Sequence, residues 1–107
     1  LIGNDRHPAR FLAGKENVDN PEAPINLIHQ DDCIGIILKI IETNIWGDTF
    51  NAVTPFHPSR EQYYTQKALE KNLVPPQFNH EKESVGKTIL SDKLEQTLHY
   101  SFAIKQL

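Results

Sequence analysis

The chain has 107 residues, a net charge of -3 and a hydrophobic fraction of 38%. These values suit a single folded domain or part of one, with a modest core, and they exclude a disordered chain. The acidic balance lacks the basic footprint of nucleic-acid-binding proteins, so no nucleic-acid partner is expected. No apolar stretch reaches the roughly 18 residues that a membrane-spanning helix needs, so no membrane partner is expected either.

The cysteine content and the first residues of the chain give expectations about its cellular compartment and about whether it is a fragment. Cys33 is the single cysteine and lies in an apolar run, which predicts a buried thiol and fits a reducing, cytoplasmic compartment. The chain contains no methionine and begins Leu1-Ile2-Gly3, with no signal peptide. We expect either a removed initiator and leader or an internal or C-terminal fragment, with Leu1-Ile2 as the end of a severed strand.

The first third of the chain predicts a loop, a strand and a helix. Residues 4–24 are rich in Gly, Pro, Asn and Asp, which predicts a loop with one helical turn at the apolar residues 11–13. Ile25 to His29 is predicted to be a short strand. Asp31 or Asp32 is then a candidate N-cap for a helix through Ile34–Thr43, whose length and acidic start favour a helix over a strand.

The remaining two thirds of the chain are predicted to continue with alternating strands and helices. Residues 48–53 alternate well enough for a second strand, and Pro58 suits the first position of a helix that runs to about residue 72. Residues 87–90 are predicted to form a third strand, and Ser91 is predicted to cap a third helix through about His99. The predicted fold class is therefore α/β, a small lobe in which strands and helices alternate. We divide it into a substrate-side loop with a short helix at residues 1–24 and an α/β lobe at residues 25–107, one domain overall.

No metal site is predicted. The five histidines are widely spaced and Cys33 has no partner, so the short ligand pairs of zinc sites are missing. Metal binding by His29 with Asp31 or Asp32 is a minor alternative. The favoured interpretation is a histidine at the end of a strand, followed by two solvated carboxylates that cap a helix.

Several segments together resemble the C-terminal lobe of extended short-chain dehydrogenase/reductases, the NAD-dependent epimerase/dehydratase superfamily. The main segment is Ile25–Asp32, which contains His29-Gln30-Asp31-Asp32 and is followed by an apolar helix. Arg6-His7-Pro8-Ala9-Arg10-Phe11 resembles a loop of a subgroup labelled nucleoside-diphosphate-sugar epimerases. The other matching segments, in the family's order, are 1–3, 49–53, 59–73, 87–90 and 91–100.

The resemblance implies a substrate-binding part of a longer NAD(P)-dependent epimerase/dehydratase or reductase. Arg6, His7, Arg10 and Phe11 would line the substrate cleft, while His29, Asp31 and Asp32 would be structural. The partners would be a small-molecule substrate and an N-terminal dinucleotide-binding domain that holds NAD(P). Many sugar-nucleotide epimerases have a diphosphate-binding Arg three residues before the Ile-His pair, and Ile25 stands there, which argues against a sugar-nucleotide substrate.

Tyr63 and Lys67 have the Tyr-x-x-x-Lys spacing of the family's catalytic pair, which a helix places on one face. In the family this pair precedes the His-x-Asp-Asp segment, whereas here it follows it, and no Gly-rich dinucleotide turn lies upstream. We therefore predict no catalytic residue and no cofactor-binding residue in this chain, and no turnover by the chain alone.

The alternative is an independent small α/β module that binds a ligand or another protein. A severed lobe would expose the apolar face that met its missing domain and would self-associate, since large apolar patches drive association. A monodisperse monomer with a sharp two-state melt would favour the module.

Overall fold

The structure is a computed structural model and describes residues 1–107. It contains four helices, α1 (Ala9–Leu12), α2 (Gln30–Thr43), α3 (Arg60–Glu70) and α4 (Asp92–Leu98). The chain packs into two compact units. Unit 1 comprises residues 1–6, 26–56 and 89–107, and unit 2 comprises residues 7–25 and 57–88. The division predicted at residues 24 and 25 stays a prediction.

The three predicted strands do not pair into a sheet. The extended parts of the chain make only isolated bridges: Ile2 with His29, Gly3 with Arg6, Val18 with Phe78, and Pro24 with Ser59. The α/β prediction is thus confirmed only as a mixture of helices and extended segments, and the strand–helix alternation is corrected. The physical reason is that neighbouring segments share only a few backbone hydrogen bonds, such as Ile2 N–H to the Ile28 carbonyl at 2.8 Å, and that side chains bond other backbone groups.

Two contacts in unit 1 illustrate this substitution. Ser91 Oγ accepts a hydrogen bond from the Val53 N–H at 2.8 Å and donates one to the Val53 carbonyl at 2.6 Å. The Ile89 N–H donates to Asn26 Oδ1 at 2.8 Å. Because Ser91 Oγ is engaged with Val53, it does not cap α4, although Ser91 precedes that helix as predicted.

Helix α2 begins earlier than predicted and has a different cap. His29, not Asp31 or Asp32, is the N-cap, and its Nδ1 accepts a hydrogen bond from the Asp31 N–H at 3.0 Å. Asn44 ends the helix in the left-handed conformation, which Asn tolerates better than most residues. The two carboxylates favour the positive end of the helix dipole even though neither is the cap.

The core of unit 1 lies between α2 and α4. Ile36 of α2 packs in a buried cluster with Leu94, Leu98 and Phe102. Burial of side chains of this size contributes about 1.5–3 kcal/mol each before entropy costs. This cluster therefore fixes one side of α2.

Unit 2 is built on the contact of α1 with α3. Ser59 caps α3 through its Oγ, which accepts a hydrogen bond from the Gln62 N–H at 3.2 Å, so the helix starts two residues later than predicted. Ala9 of α1 and Ala68 of α3 are fully buried, and their small side chains allow the helices to approach closely. A helical turn within residues 4–24 is present as α1, but it lies at Ala9–Leu12 and not at the predicted residues 11–13.

None of the four helices is long and apolar enough to span a lipid bilayer.

Candidate functional site

His7 and Tyr63 form a buried pair in unit 2. His7 lies just before α1 and Tyr63 on the first turns of α3, and their relative exposures are 9% and 1%. The Tyr63 hydroxyl is 3.0 Å from His7 Nε2, and the two rings are near parallel, with centroids 5.9 Å apart. The α1–α3 contact brings the two residues together from distant parts of the sequence.

The hydrogen bonds of His7 identify its tautomer. The Ala9 N–H donates to His7 Nδ1 at 3.1 Å, so Nδ1 carries a lone pair. A neutral imidazole then has its proton on Nε2 and donates it to the Tyr63 hydroxyl oxygen. Protonation of Nδ1 would remove the acceptor for Ala9, and the present geometry therefore requires neutral His7.

Three cations act on the charge of His7, and we refer to Arg10, Lys67 and Lys71 as the basic cluster. Burial, followed by the positive charges of Lys71, Lys67 and Arg10, lowers the pKa of His7 from 6.5 to about 4, while Glu70 acts in the opposite direction. Lys67 Nζ lies 5.8 Å from the centre of the Tyr63 ring and 3.1 Å from Glu70 Oε2.

The other two members of the basic cluster are not engaged in ion pairs. The carboxylates that approach within 4 Å of a cation or histidine belong to four pairs, and Arg10 and Lys71 are in none of them. In a chain with a net charge of -3, this end of the α1–α3 pair is therefore locally positive. Such a surface suits an anionic ligand.

The geometry does not give Tyr63 and Lys67 the properties of a proton-transfer pair. Burial is the main cause that raises the pKa of the Tyr63 hydroxyl, and Tyr64 and Glu70 raise it further. A catalytic tyrosine needs the opposite shift, with a cation that lowers its pKa. Lys67 instead lies over the ring face and pairs with Glu70.

The four predicted substrate residues have different environments. His7 is buried, whereas Arg10 is exposed and Phe11 has 67% of its surface exposed. Arg6 is exposed and belongs to unit 1, where its backbone pairs with Gly3. Unit 2 thus brings together His7 and Arg10 near α3, and the substrate role of all four residues stays a prediction.

Asp32 is a second polar centre, and it lies in unit 1. Its side chain is fully buried, which corrects the expectation of a solvated carboxylate. Its Oδ1 accepts hydrogen bonds from the Tyr100 hydroxyl at 2.5 Å and the Ala103 N–H at 2.8 Å, and its Oδ2 accepts one from the Ile104 N–H at 3.0 Å. Asp32 therefore ties residues 100–104 to α2, and its structural role stays a prediction.

No group of three or more His, Cys, Asp or Glu side chains is placed to hold a metal ion. Asp31 is exposed and Asp32 is engaged by three donors, so the minor alternative of a metal at His29 has no assembled ligand set.

The sequence indicated only part of this arrangement. It singled out His7 and Arg10 as substrate residues, but it missed Lys71, the contact of Tyr63 with His7, and the hydrogen bond from Tyr100 to Asp32. Tyr63 and Lys67 carried a visible signal, their four-residue spacing, which marked a shared helix face. No local pattern links Lys71 to His7, because their proximity depends on the α1–α3 contact.

The chain is similar to proteins whose names differ from the family inferred from its motifs. It is 37% identical over 103 residues to "Protein YeeZ" of Escherichia coli K12 and to the protein of the same name in Escherichia coli O157:H7. The match covers 95% of this chain but 37% of each relative, so the chain spans well under half the length of these curated relatives. No family model matches the chain.

A solved structure shares the fold. "The structure of a functionally unknown conserved protein from Silicibacter pomeroyi DSS" superimposes with a TM-score of 0.74 at 13% identity, over 98% of this chain and 42% of that chain. At that identity the likeness shows the fold alone.

These comparisons overturn the assignment to the extended short-chain dehydrogenase/reductase family. The relatives are named differently, and the structural neighbour is described as functionally unknown. The motifs that suggested the assignment are short and each has low specificity. Their occurrence in the family's order was not sufficient to identify the family. The implied NAD(P), dinucleotide-binding domain and enzyme activity have no support from the comparisons and stay predictions.

Proposed function

We propose that unit 2 binds a small anionic molecule, a carboxylate or a phosphate, at the basic cluster. The observation that carries the proposal is that Lys67 lies over the buried Tyr63 ring, while Arg10 and Lys71, whose charges lower the pKa of His7, are in no ion pair. An anion would offset the mutual repulsion of these cations, which the fold itself offsets only with Glu70.

Each member of the site has a role that follows from its chemistry. Arg10 offers a planar fork that matches two oxygens of a carboxylate or phosphate, and Lys71 offers a point charge. Lys67 shares its charge with Glu70 and contributes less. His7 and Tyr63 are positioning residues, because they hold the start of α1 against α3.

The proposed activity is binding without turnover. In a protein of the length of the relatives, this lobe would supply one side of a ligand site, and the substrate class of the whole protein would be set elsewhere as well. The exposed ring of Phe11, next to Arg10 in sequence, suits a ligand with an apolar portion.

A stability measurement tests the proposal, with inorganic phosphate as the probe. A ligand that binds only the folded chain stabilises it by RT ln(1 + [L]/Kd), about 2 kcal/mol at roughly twentyfold excess over Kd. We expect phosphate to raise the thermal midpoint of the wild type relative to sodium chloride at equal ionic strength.

Charge reversal gives the matched comparison. Lys71→Glu should abolish the phosphate effect, whereas Lys82→Glu, which reverses an exposed lysine of the same unit outside the cluster, should retain it. Equal phosphate effects in the two variants, or none in the wild type, would overturn the proposal.

A further inference from the structure

Helix α2 exposes a second apolar side opposite the side that it buries. Ile34, Ile37, Leu38 and Ile41 are between 49% and 59% exposed. Their spacing of three and four residues places them on one side of the helix. We refer to these four residues as the α2 outer face. The same helix buries Ile36 against the core of unit 1, so α2 is apolar on both sides and covered on one.

Such a face is unusual for a protein surface in contact with water. Single exposed apolar residues are common, but four adjacent large aliphatic side chains form a continuous patch of the kind that marks an interaction site. Trp46, the only tryptophan, follows α2 and is 64% exposed. The outer face therefore suits another protein surface.

The charged residues beside the α2 outer face indicate the charge that a partner surface should carry. Asp31 lies one turn before Ile34, and Glu42 lies one turn after Leu38. Both are exposed, and about three turns separate them, which places them along the same edge. In a symmetric antiparallel pair of α2 helices, this acidic edge would meet its own copy, which is unfavourable. The complementary surface is apolar with a basic edge, which a symmetric antiparallel copy of α2 does not provide.

The comparisons indicate where such a surface would come from. The chain matches 37% of the curated relatives and 42% of the solved structure with the same fold, so in each of these proteins a larger part lies outside the match. We propose that the α2 outer face docks against a second domain, apolar with a basic edge, of the kind that the relatives carry outside the matched part. This inference is independent of anion binding, which involves unit 2.

Thiol accessibility in a hybrid protein tests the inference. The matched part of the Escherichia coli K12 relative is replaced by this chain carrying Cys33→Ala, with either Leu38→Cys or Leu69→Cys. Leu38 and Leu69 are matched, since both lie on helices and are 59% and 61% exposed. In the hybrid, we expect the thiol at position 38 to react at least about tenfold more slowly than in the bare 107-residue chain at a dilution where the bare chain is monomeric, because docking removes it from solvent. The thiol at position 69 should react at similar rates in both.

The basic edge is tested in the same hybrid. Glu42→Lys should speed the reaction at position 38 at low salt, and Glu83→Lys, an exposed charge reversal in unit 2, should not. A thiol at position 38 that reacts as fast in the hybrid as in the bare chain, whether or not the hybrid folds, overturns the inference.

Sedimentation of the bare chain tests separately whether a second copy of the chain covers the α2 outer face. We expect open-ended, concentration-dependent association that Leu38→Glu reduces and Leu69→Glu does not. A discrete dimer that Leu38→Glu dissociates would assign the face to a second copy and overturn the proposed occupant.

Discussion

His7 uses both of its ring nitrogens inside the fold. One accepts the Ala9 N–H and the other contacts the Tyr63 hydroxyl, so the neutral ring completes the start of α1. A positive charge on the ring would break the first bond and add a fourth cation beside Arg10, Lys67 and Lys71. Local structure and local electrostatics therefore favour the same protonation state.

This arrangement predicts a pH-dependent stability. The folded pKa of His7 is about 4 and its ordinary value is 6.5, so between these values the unfolded chain binds more protons than the folded one. The contribution of His7 is complete above about pH 6.5 and is lost as the pH falls towards 4. Urea denaturation should show a smaller loss of stability over this range in His7→Gln than in the wild type.

The control for this experiment is His99→Asn, which removes an exposed histidine in the left-handed conformation and keeps a residue that tolerates it. Its pH dependence should follow that of the wild type. If His7→Gln also kept the wild-type dependence, the buried neutral state of His7 would be contradicted.

Asp31 and Asp32 are neighbours with opposite environments, and they provide a matched pair of substitutions. Asp32→Asn replaces the acceptor for the Ile104 N–H with a donor and weakens the bond to Tyr100, which should cost about 2 kcal/mol. Asp31→Asn changes an exposed carboxylate and should cost less than about 0.5 kcal/mol. Chemical denaturation measures both, and similar values for the two variants would rule out the buried anchor.

At the scale of the elements, the sequence predicted helices well and strands poorly. Helices satisfy their backbone groups within a short segment, so the local sequence was sufficient to locate α2, α3 and α4, although it gave the wrong capping residue for α2 and the wrong start for α3. A strand needs a partner elsewhere, and alternation in residues 48–53 cannot show whether one exists. In the fold, the side chains of Ser91 and Asn26 occupy backbone groups that a neighbouring strand would otherwise bond.

Gly35 gives an element-scale prediction, because its position on α2 leaves room for Tyr100. A Cβ at residue 35 would lie 2.5 Å from the Tyr100 hydroxyl, which is held by Asp32. Gly35→Ala gains up to about 1 kcal/mol of helix propensity but displaces this hydroxyl, whose bond to a carboxylate is worth about 1.5–3 kcal/mol. We expect net destabilisation by about 1 kcal/mol in urea denaturation.

The double-mutant cycle identifies the cause. In a Tyr100→Phe background the hydroxyl is absent, and Gly35→Ala should become neutral or stabilising. An equal cost in both backgrounds would show that the close approach of Tyr100 is not what requires glycine.

At the scale of the whole molecule, the net charge gave no sign of the basic cluster in unit 2. A net charge of -3 argues against a broad basic surface. It does not argue against a local cluster of cations, which forms where α1 contacts α3. Arg10 was visible as a candidate, but its association with Lys71 required the fold. The same limit applied to Asp32, whose burial depends on Tyr100 and residues 103–104 at the far end of the chain.

The central claim is a localised anion site in unit 2, and an amide-resolved phosphate titration by NMR at constant ionic strength tests it most directly. We predict saturable shifts at the amides of Ala9 and Lys71, next to the basic cluster, and none at Ala103 in unit 1. The shifts should disappear in Lys71→Glu and persist in Lys82→Glu. Small, non-saturating shifts distributed over both units would contradict the claim.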